Sequence, residues 1–471
     1  MPLMFRIAPW WLLPVTLAAV LGGAAAFMWG RAQAAVEAAP SGAAVGAAWS
    51  GTIFLRNDGT GPATAVVNFY STAGVLVHSY SVPGPIPAKG TASIDTEAIA
   101  ALPAGFAGSA VVSSNQPVNA TLVASDPTNP AVNQTLYNGF SAGANTAYVP
   151  SISNNYADQT STLAVQNIDP VPAAVTIRYI ERFTGAQTAV VSDTIPANSS
   201  HFYDSGNLPG GQQLPPPWTG AALINSAGGK VVAAVHQPYL TSNKAVAFEG
   251  TAAVGAQSFL PSALYQYGPQ GQTSFISAQN TQSTPVDMEV TFYGTDGRTA
   301  GVANGRVQGF QKQSWNPGSA GIGPGFLGSA VARASGPIAV IVEIMSATDL
   351  SMAYTGQIEG TPKQVLPYVR WAPSIDPRGW RTFVAVMNVD QSAAADITIK
   401  YYDQNGTLVQ APSFRGVAPN TKVNHHPGLF VGDNPFVGSI EIEANRPVLG
   451  LVNAITVSET QAESYTSLPS Q

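Results

Sequence analysis

The chain contains no cysteine, which excludes a disulfide framework and a lipid-modified N-terminal cysteine. Charged residues make up only 10% of the sequence, against about a quarter in an ordinary soluble domain, while 45% of the residues are apolar. This composition excludes a disordered polyampholyte and a coiled coil. The 20 basic residues are spread over a chain of net charge −6 and form no basic stripe, so nucleic acid is not expected as a partner.

The first 34 residues have the pattern of an export signal. Arg6 precedes an apolar run over residues 7–29, and Arg31 is followed by small residues with an A-x-A cleavage motif that ends at Ala34. The run is longer than the roughly 7 to 15 residues of an ordinary signal peptide, so an uncleaved membrane anchor is the alternative. We therefore expect a protein that is secreted or held at the cell surface, with residues 1–34 as its signal peptide or anchor.

One sequence pattern recurs four times after this segment. Its first marker is an asparagine that ends an apolar strand, at spacings of 110, 113 and 108 residues: Asn57, Asn167, Asn280 and Asn388. Another marker is an aromatic residue two positions before a glycine: Phe106/Gly108, Trp218/Gly220, Phe326/Gly328 and Phe436/Gly438. A proline opens each unit: Pro40, Pro150, Pro261 and Pro367. These markers predict four repeats, over residues 40–149, 150–260, 261–366 and 367–471.

Within a repeat, apolar and polar residues alternate in short segments, as they do in half-buried strands. In the first repeat this alternation predicts seven strands, near residues 51–57, 65–70, 75–82, 91–94, 108–113, 118–124 and 134–140. Seven short antiparallel strands in a unit of this length are typical of an immunoglobulin-like sandwich. The sequence therefore predicts an all-β protein with four tandem immunoglobulin-like antiparallel β-sandwich domains after the signal or anchor.

The first half of each repeat resembles a known family. The turn over residues 57–63, the strand over 66–70 and the Pro87-Ala88-Lys89-Gly90 turn resemble the cell-adhesion-related (CARDB-like) domains of exported bacterial proteins. The resemblance rests on turn and core residues and not on a site. It implies an immunoglobulin-like fold in a protein of the cell exterior.

No repeat carries a set of residues that predicts catalysis. Ser141 lies in a G-x-S-x-G sequence, but the residues that follow predict a strand or linker where a nucleophile elbow requires a helix. The aspartates that follow marker asparagines are expected to form Asx turns. They are Asp58, Asp169 and Asp390.

The histidines offer no clear metal site. His78, His201 and His236 are isolated in sequence, and the adjacent His425 and His426 are expected to point to opposite faces of a strand. We therefore expect no enzyme activity, no metal and no cofactor.

Aromatic side chains are found in the segments that precede the marker asparagines. The candidate ligand-binding residues are Trp49, Tyr156, Tyr267, Trp371 and Trp380. Flat rings beside polar groups can bind a polysaccharide or a partner protein. The favoured alternative is that these rings pack at the junctions between successive sandwiches.

The combination of an export signal, tandem β-domains and low charge favours a non-enzymatic structural or adhesive cell-surface protein. The alternative is an extracellular carbohydrate-binding or partner-binding module that uses the aromatic segments. A polysaccharide or a cell-envelope protein is the expected partner. Strand edges that carry few lysines also make self-association a possible outcome.

Overall fold

The computed structural model describes residues 5–6, 32–38, 49–129, 131–374 and 379–470. In this part of the chain the protein is all-β, and its sheets are antiparallel apart from one parallel pairing of the two-residue strand Phe5–Arg6. Most of the expected signal or anchor segment lies outside the described residues. None of the described helices is long and apolar enough to cross a membrane.

The strands are numbered in chain order. Those up to the end of the first repeat are β1 (Phe5–Arg6), β2 (Ala32–Ala38), β3 (Ser50–Asn57), β4 (Ala65–Ser71), β5 (Leu76–Ser81), β6 (Thr91–Asp95), β7 (Gly108–Ser114), β8 (Val118–Ser125) and β9 (Thr135–Phe140). The seven strands predicted for the first repeat are confirmed, each within two residues of its expected bounds.

The second repeat contains β10 (Thr146–Tyr156), β11 (Gln159–Thr160), β12 (Thr162–Asn167), β13 (Ala173–Glu181), β14 (Gln187–Ile195), β15 (Ser200–Asp204), β16 (Trp218–Gly228), β17 (Val231–Pro238) and β18 (Ala245–Glu249). The third contains β19 (Gly255–Tyr265), β20 (Thr273–Asn280), β21 (Val286–Gly294), β22 (Thr299–Val307), β23 (Lys312–Trp315), β24 (Phe326–Met345) and β25 (Ser351–Thr355).

The fourth repeat contains β26 (Thr361–Ala372), β27 (Trp380–Asn388), β28 (Ala395–Asp403), β29 (Leu408–Gln410), β30 (Ser413–Val417), β31 (Lys422–His425), β32 (Phe436–Thr456), β33 (Ala462–Thr466) and β34 (Leu468–Pro469). The described helices are short: two 3-10 turns at Pro209–Gly211 and Pro317–Ala320, and α1 (Gly428–Val431).

The second repeat shows the sheet arrangement most simply. One sheet has the order β11-β10-β16-β13-β14, and the other has the order β15-β12-β17-β18. Strand β13 alternates buried and more exposed positions, so that Val175, Ile177 and Tyr179 enter the core while Thr176 and Arg178 do not. In the later repeats, a single long strand, β24 or β32, pairs in both parts of the sheet system and joins them.

The marker glycines allow a close approach of the backbone. A Cβ atom on Gly438 would collide with the carbonyl oxygen of Tyr402 on the paired strand, and the Phe436 ring also lies against this position. Gly108, Gly220 and Gly328 have the same arrangement, each with the carbonyl of the neighbouring strand and the aromatic residue two positions earlier. The aromatic–glycine marker therefore corresponds to an aromatic ring that packs over a glycine of the same strand.

The marker asparagines tie each strand end to two loops. Asn57 donates from Nδ2 to the carbonyls of Gly61 (2.7 Å) and Ile86 (2.9 Å), and its Oδ1 accepts from the Gly59 N–H. Equivalent bonds surround the other three asparagines. Asn57 therefore makes an Asx turn of its own, one residue before the turn expected of Asp58. Asp390 does accept from the N–H groups of Ser392 and Ala393, as expected for such a turn.

The prolines chosen as repeat boundaries lie inside strands. Pro150, Pro261 and Pro367 fall within β10, β19 and β26, each where the pairing register shifts. A proline has no N–H to donate, so a strand accommodates it at such an irregularity. The strands that begin the later repeats therefore start several residues before the predicted boundaries.

Candidate functional site

The four repeats contact one another in cyclic order around a common centre. Strands β9, β18, β25 and β33, one from each repeat, each contact two others of this set, so that the contacts close a cycle. Four hydrogen bonds connect these strands, or the residue two positions after β25, in turn: Asn138 N–H to Glu249 Oε1 (2.7 Å), Thr355 Oγ1 to Glu249 Oε2 (3.0 Å), Gln357 Nε2 to Thr466 Oγ1 (3.3 Å) and Asn138 Nδ2 to the Thr466 carbonyl (2.7 Å). The first repeat therefore contacts both the second and the fourth.

Glu249 is the acidic member of this central group. Burial raises the pKa of its carboxyl, although hydrogen bonds from the Asn138 N–H and the Thr355 hydroxyl act in the opposite direction. Asn138, Thr355 and Thr466 are buried, so the centre is a hydrogen-bonded polar layer within the protein. The arrangement joins three repeats through one carboxyl group and its neighbours.

Two of the junctions between consecutive repeats share a hydrogen bond at equivalent positions. The Ser109 hydroxyl donates to the Asn198 carbonyl at the first junction, and the Ser329 hydroxyl donates to the Asn420 carbonyl (2.5 Å) at the third. Both acceptor residues have a positive φ, of 58° and 61°. Both serines directly follow a marker glycine, so the same sequence position contacts the next repeat.

The junction between the fourth and first repeats is charged. Arg56 is fully buried and pairs with Asp58 and with Glu441, 3.7 Å away. Lys89 approaches Glu441 to 3.3 Å, and Lys400 approaches it to 3.5 Å. Burial lowers the pKa of Arg56 to about 10, although Glu441 raises it.

The equivalent positions of the other repeats are uncharged. Gln166, Gln279 and Met387 precede the marker asparagines where the first repeat has Arg56. The position of Glu441, three residues after the marker glycine, holds Val111, Leu223 and Val331. The ionic network is therefore specific to the junction at which the cycle of contacts closes.

Two of the predicted aromatic residues share a position at junctions between repeats. The Trp49 ring meets the ring of His236 from the second repeat edge-on, at a centroid distance of 4.4 Å. Trp380 is fully buried beneath the Arg370 guanidinium (3.7 Å) and lies in a buried cluster with Val123 of the first repeat. Both stand eight residues before a marker asparagine, but the ring that meets Trp49 belongs to another repeat, whereas the guanidinium over Trp380 belongs to its own repeat.

The other predicted aromatic residues lie apart. Trp371 is buried, donates from Nε1 to the Gly432 carbonyl (2.7 Å) and stacks on His426. Tyr156 lies near Phe183, and Tyr267 is partly exposed in a turn. The five predicted residues therefore do not meet in one site, and their role in ligand binding stays a prediction.

A cleft of about 580 Å³ lies between the first and second repeats. Residues 103–107 and Thr72 line its first-repeat side, and Asp193, His201 and Tyr203 line the opposite side. His201 Nδ1 is 2.7 Å from Asp193 Oδ2, and the Tyr203 hydroxyl donates to the same oxygen at 2.9 Å. Phe106 and Phe202 add apolar surface.

Strand alternation explains how the polar group in this cleft forms. His201 and Tyr203 are two apart on β15 and face the same way, and Asp193 lies near the end of β14. Burial raises the pKa of Asp193, but hydrogen bonds from His201 and Tyr203 outweigh it and lower the pKa overall. His201 is therefore not isolated, contrary to the sequence interpretation. The only signal for this cluster in the sequence was the His-x-Tyr alternation of His201 and Tyr203 after Asp193.

The contacts of His201 restrict its chemistry. Its Nε2 is 3.0 Å from the Thr72 carbonyl, so both ring nitrogens face oxygen acceptors. The nitrogen that would accept a proton from a nucleophile is thus occupied by a backbone contact across the junction. This geometry suits binding and bridging better than general-base catalysis.

The remaining sequence motifs do not form a second site. Ser141 follows the end of β9 and precedes β10 without an intervening helix. His425 contacts the Tyr401 hydroxyl (2.8 Å) while His426 stacks on Trp371, so the two rings have different partners. Within the described ranges, no three His, Asp or Glu side chains are grouped as a metal site.

Neither a protein-family model nor a curated protein matches the chain. Similar solved structures include Thermotoga maritima 1070 (14% identity, 22% of this chain and 95% of that one, TM-score 0.20). They also include the serine-rich repeat protein Srr2 of Streptococcus agalactiae (8% identity, 52% and 86%, TM-score 0.13) and a glycoside hydrolase family 2 β-glucuronidase (10%, 67% and 31%, TM-score 0.15). These similarities are too low to carry an argument, and the resemblance to cell-adhesion-related domains stays a prediction.

Proposed function

We propose that this chain is a non-enzymatic, exported structural or adhesive protein of the cell surface, in which four immunoglobulin-like domains close into a ring. The cycle of contacts among β9, β18, β25 and β33 is the observation that supports this proposal most directly. Because each repeat packs against two others, and the first contacts the last, the repeats restrain one another's motion and the chain forms a rigid unit. Rigidity of this kind suits a scaffold.

Ring closure can be tested by disulfide trapping, since the natural chain has no cysteine that could interfere. The Thr91 N–H donates to the Gln404 carbonyl (3.0 Å) across the closing junction. We expect Thr91→Cys with Gln404→Cys to form an intramolecular disulfide under mild oxidation, seen as a reductant-sensitive, faster-migrating band.

The matched control pairs Thr91→Cys with Thr295→Cys, which places the second cysteine in the corresponding hairpin of the third repeat. That variant should give no intramolecular band. A disulfide that forms only between chains in the Thr91/Gln404 variant would contradict a closed ring.

Fractionation of native cells with an antibody to the chain tests the location, and recovery in the cytoplasm would contradict export.

A second candidate function is carbohydrate binding in the cleft between the first and second repeats. It is favoured by the convergence of Asp193, His201 and Tyr203 with the rings of Phe106 and Phe202 in one cleft. Aromatic faces beside a few fixed polar groups are a typical way to hold a sugar.

Binding of purified envelope polysaccharide to the full chain, measured by isothermal titration calorimetry, tests this candidate. We expect His201→Ala to weaken binding at least tenfold and His78→Ala, on the β5 hairpin outside the His201 cluster, to leave it unchanged. Equal binding by both variants and the natural chain would reject this cleft as the binding site.

A further inference from the structure

A second cleft, of about 410 Å³, lies between the second and third repeats. The loop after β13 contributes Arg182 and Phe183, and the segment from β22 to β23 contributes Arg306, Gln308, Lys312 and Gln313. The Gln311 side chain donates to the Arg182 carbonyl and holds the two loops together. The volume lies in the range of about 300 to 1,000 Å³ that is usual for small-molecule sites.

The charged residues that line this cleft are all positive. Three of its residues, Arg182, Arg306 and Lys312, are cationic, and none is acidic. Arg306 pairs with the exposed Asp287 at 2.7 Å on the rim. Among the described residues, neither Arg182 nor Lys312 has a carboxylate oxygen within ion-pair distance. The buried Glu343 carboxylate acts on Lys312 from beyond ion-pair distance, so among the residues that line the cleft the charge is positive, with Arg306 alone in an ion pair.

Lys312 is the most unusual of the three cations. Its side chain is buried, at 4% exposure, and its Nζ donates to the Ser151 hydroxyl at 3.0 Å. Burial lowers the pKa of Lys312 to about 7; Glu343 raises it and Arg182 lowers it further. A buried ammonium without a paired anion is unfavourable, and an anion bound beside it would relieve that cost.

The fourth repeat provides an internal comparison. Lys422 occupies the same strand position as Lys312, since each pairs with the residue before a marker asparagine, Met387 or Gln279. It is also buried, but it lies at the next junction and does not line the cleft. A substitution of Lys422 therefore removes a buried lysine of the same kind and leaves the cleft intact.

We propose that Arg182, Lys312 and Arg306 form a binding site for an oxyanion, either a free phosphate or sulfate or the acidic group of a sugar. Arginine presents a planar fork of donors that matches a carboxylate or sulfate, and lysine acts as a compact point charge. The side-chain amides of Gln308 and Gln313 can bond to hydroxyl groups, and the exposed Phe183 ring can pack on a sugar face. This site is independent of the cleft that contains His201.

Calorimetric titration of the full chain in phosphate-free buffer of low ionic strength tests the site. The probes are sodium phosphate, sodium sulfate, glucuronate and, as the neutral comparison, glucose. We expect at least one anion to bind at least tenfold more tightly than glucose, and the binding to weaken as sodium chloride is added. Glucuronate that binds tenfold more tightly than phosphate and sulfate would identify an acidic sugar as the source, whereas similar affinities would identify the oxyanion alone.

Variants decide whether the binding occurs in this cleft. We expect Lys312→Met and Arg182→Ala each to weaken anion binding at least tenfold, and Lys422→Met to leave it unchanged. Arg182 is only partly buried, so Arg182→Ala decides the question if Lys312→Met does not fold. Anion binding no tighter than that of glucose, or unchanged binding in Arg182→Ala, would overturn the proposal.

Discussion

The Ser439 hydroxyl donates to the Lys89 carbonyl at 3.2 Å, although the two residues are 350 positions apart in sequence. Lys89 has a positive φ of 63°, like Asn198 and Asn420, which accept from the equivalent serines at other junctions. The junction between the fourth and first repeats therefore shares this contact with the first and third junctions. Unlike those junctions, it also contains the ionic network around Arg56.

Arg56→Met should destabilise the protein by about 3–5 kcal/mol, because it leaves the buried Asp58 without its nearest cation and removes one of the three cations around Glu441. Adding Glu441→Val should recover part of the loss, because Met387 and Val331 already occupy the two equivalent positions at the third junction. Urea unfolding of the full chain measures both effects. A double variant no more stable than Arg56→Met would contradict this interpretation.

Gly438→Val should destabilise the fourth repeat by about 2–4 kcal/mol, because the new side chain would collide with the Tyr402 carbonyl and the Phe436 ring. Gly323→Val is the control, since nothing lies within 4 Å of a Cβ at that exposed glycine. The midpoints of thermal unfolding, followed by circular dichroism, compare the two. Equal midpoints would show that the aromatic–glycine contact is not needed for stability.

Trp380→Ala should cost about 3–5 kcal/mol, because a fully buried ring is lost from beneath Arg370. With Trp371→Ala added, we expect faster protease cleavage between Gln364 and Arg381 and no loss of polysaccharide binding. Tyr267→Ala, a change of a partly exposed residue, should alter stability by less than about 0.5 kcal/mol. Loss of binding with unchanged protease resistance would show that the two tryptophans recognise a ligand.

Lys422→Met should stabilise the protein at pH 7, by ~1–3 kcal/mol, and the gain should shrink towards pH 10. Burial lowers the pKa of Lys422 to about 7 in the folded chain, while an unfolded lysine titrates near about 10.4. Between these values the unfolded state binds more protons, so the stability of the natural protein rises with pH. Urea midpoints of both proteins at pH 7 and pH 10 check this, and an equal difference at both would contradict it.

A fragment of residues 361–471 should fold more stably than one of residues 367–471. The shorter fragment lacks the start of β26, where Gln364, Val365 and Leu366 pair with β32. We expect both to give β-type circular dichroism spectra, with a lower melting temperature for the shorter one. A fragment 361–471 that is disordered would show that a repeat needs its neighbours to fold.

The strands of the first repeat and the recurrence of one pattern in all four repeats could be predicted from the sequence. Alternation of apolar residues predicted the strands, and the recurrence of Asn57, Asn167, Asn280 and Asn388 predicted the periodic organisation, because these patterns depend on contacts within one repeat. The starts of β10, β19 and β26 could not be predicted, because Pro150, Pro261 and Pro367 resembled the boundaries between repeats. Their true context, a register shift inside a strand, depends on the partner strand.

The sequence by itself therefore determined the all-β class, the repeat pattern and the positions of the seven strands of the first repeat. Only the tertiary structure decided that Ser439 meets Lys89, that Arg56 meets Glu441, and that His201 shares a cleft with residues of the first repeat. The physical reason is that strand formation follows from short-range periodicity, whereas a junction depends on which surfaces of distant segments are complementary. The sequence pattern does not distinguish buried lysine and arginine side chains such as Arg56 and Lys312 from exposed ones, because their environment is set only when the repeats pack together.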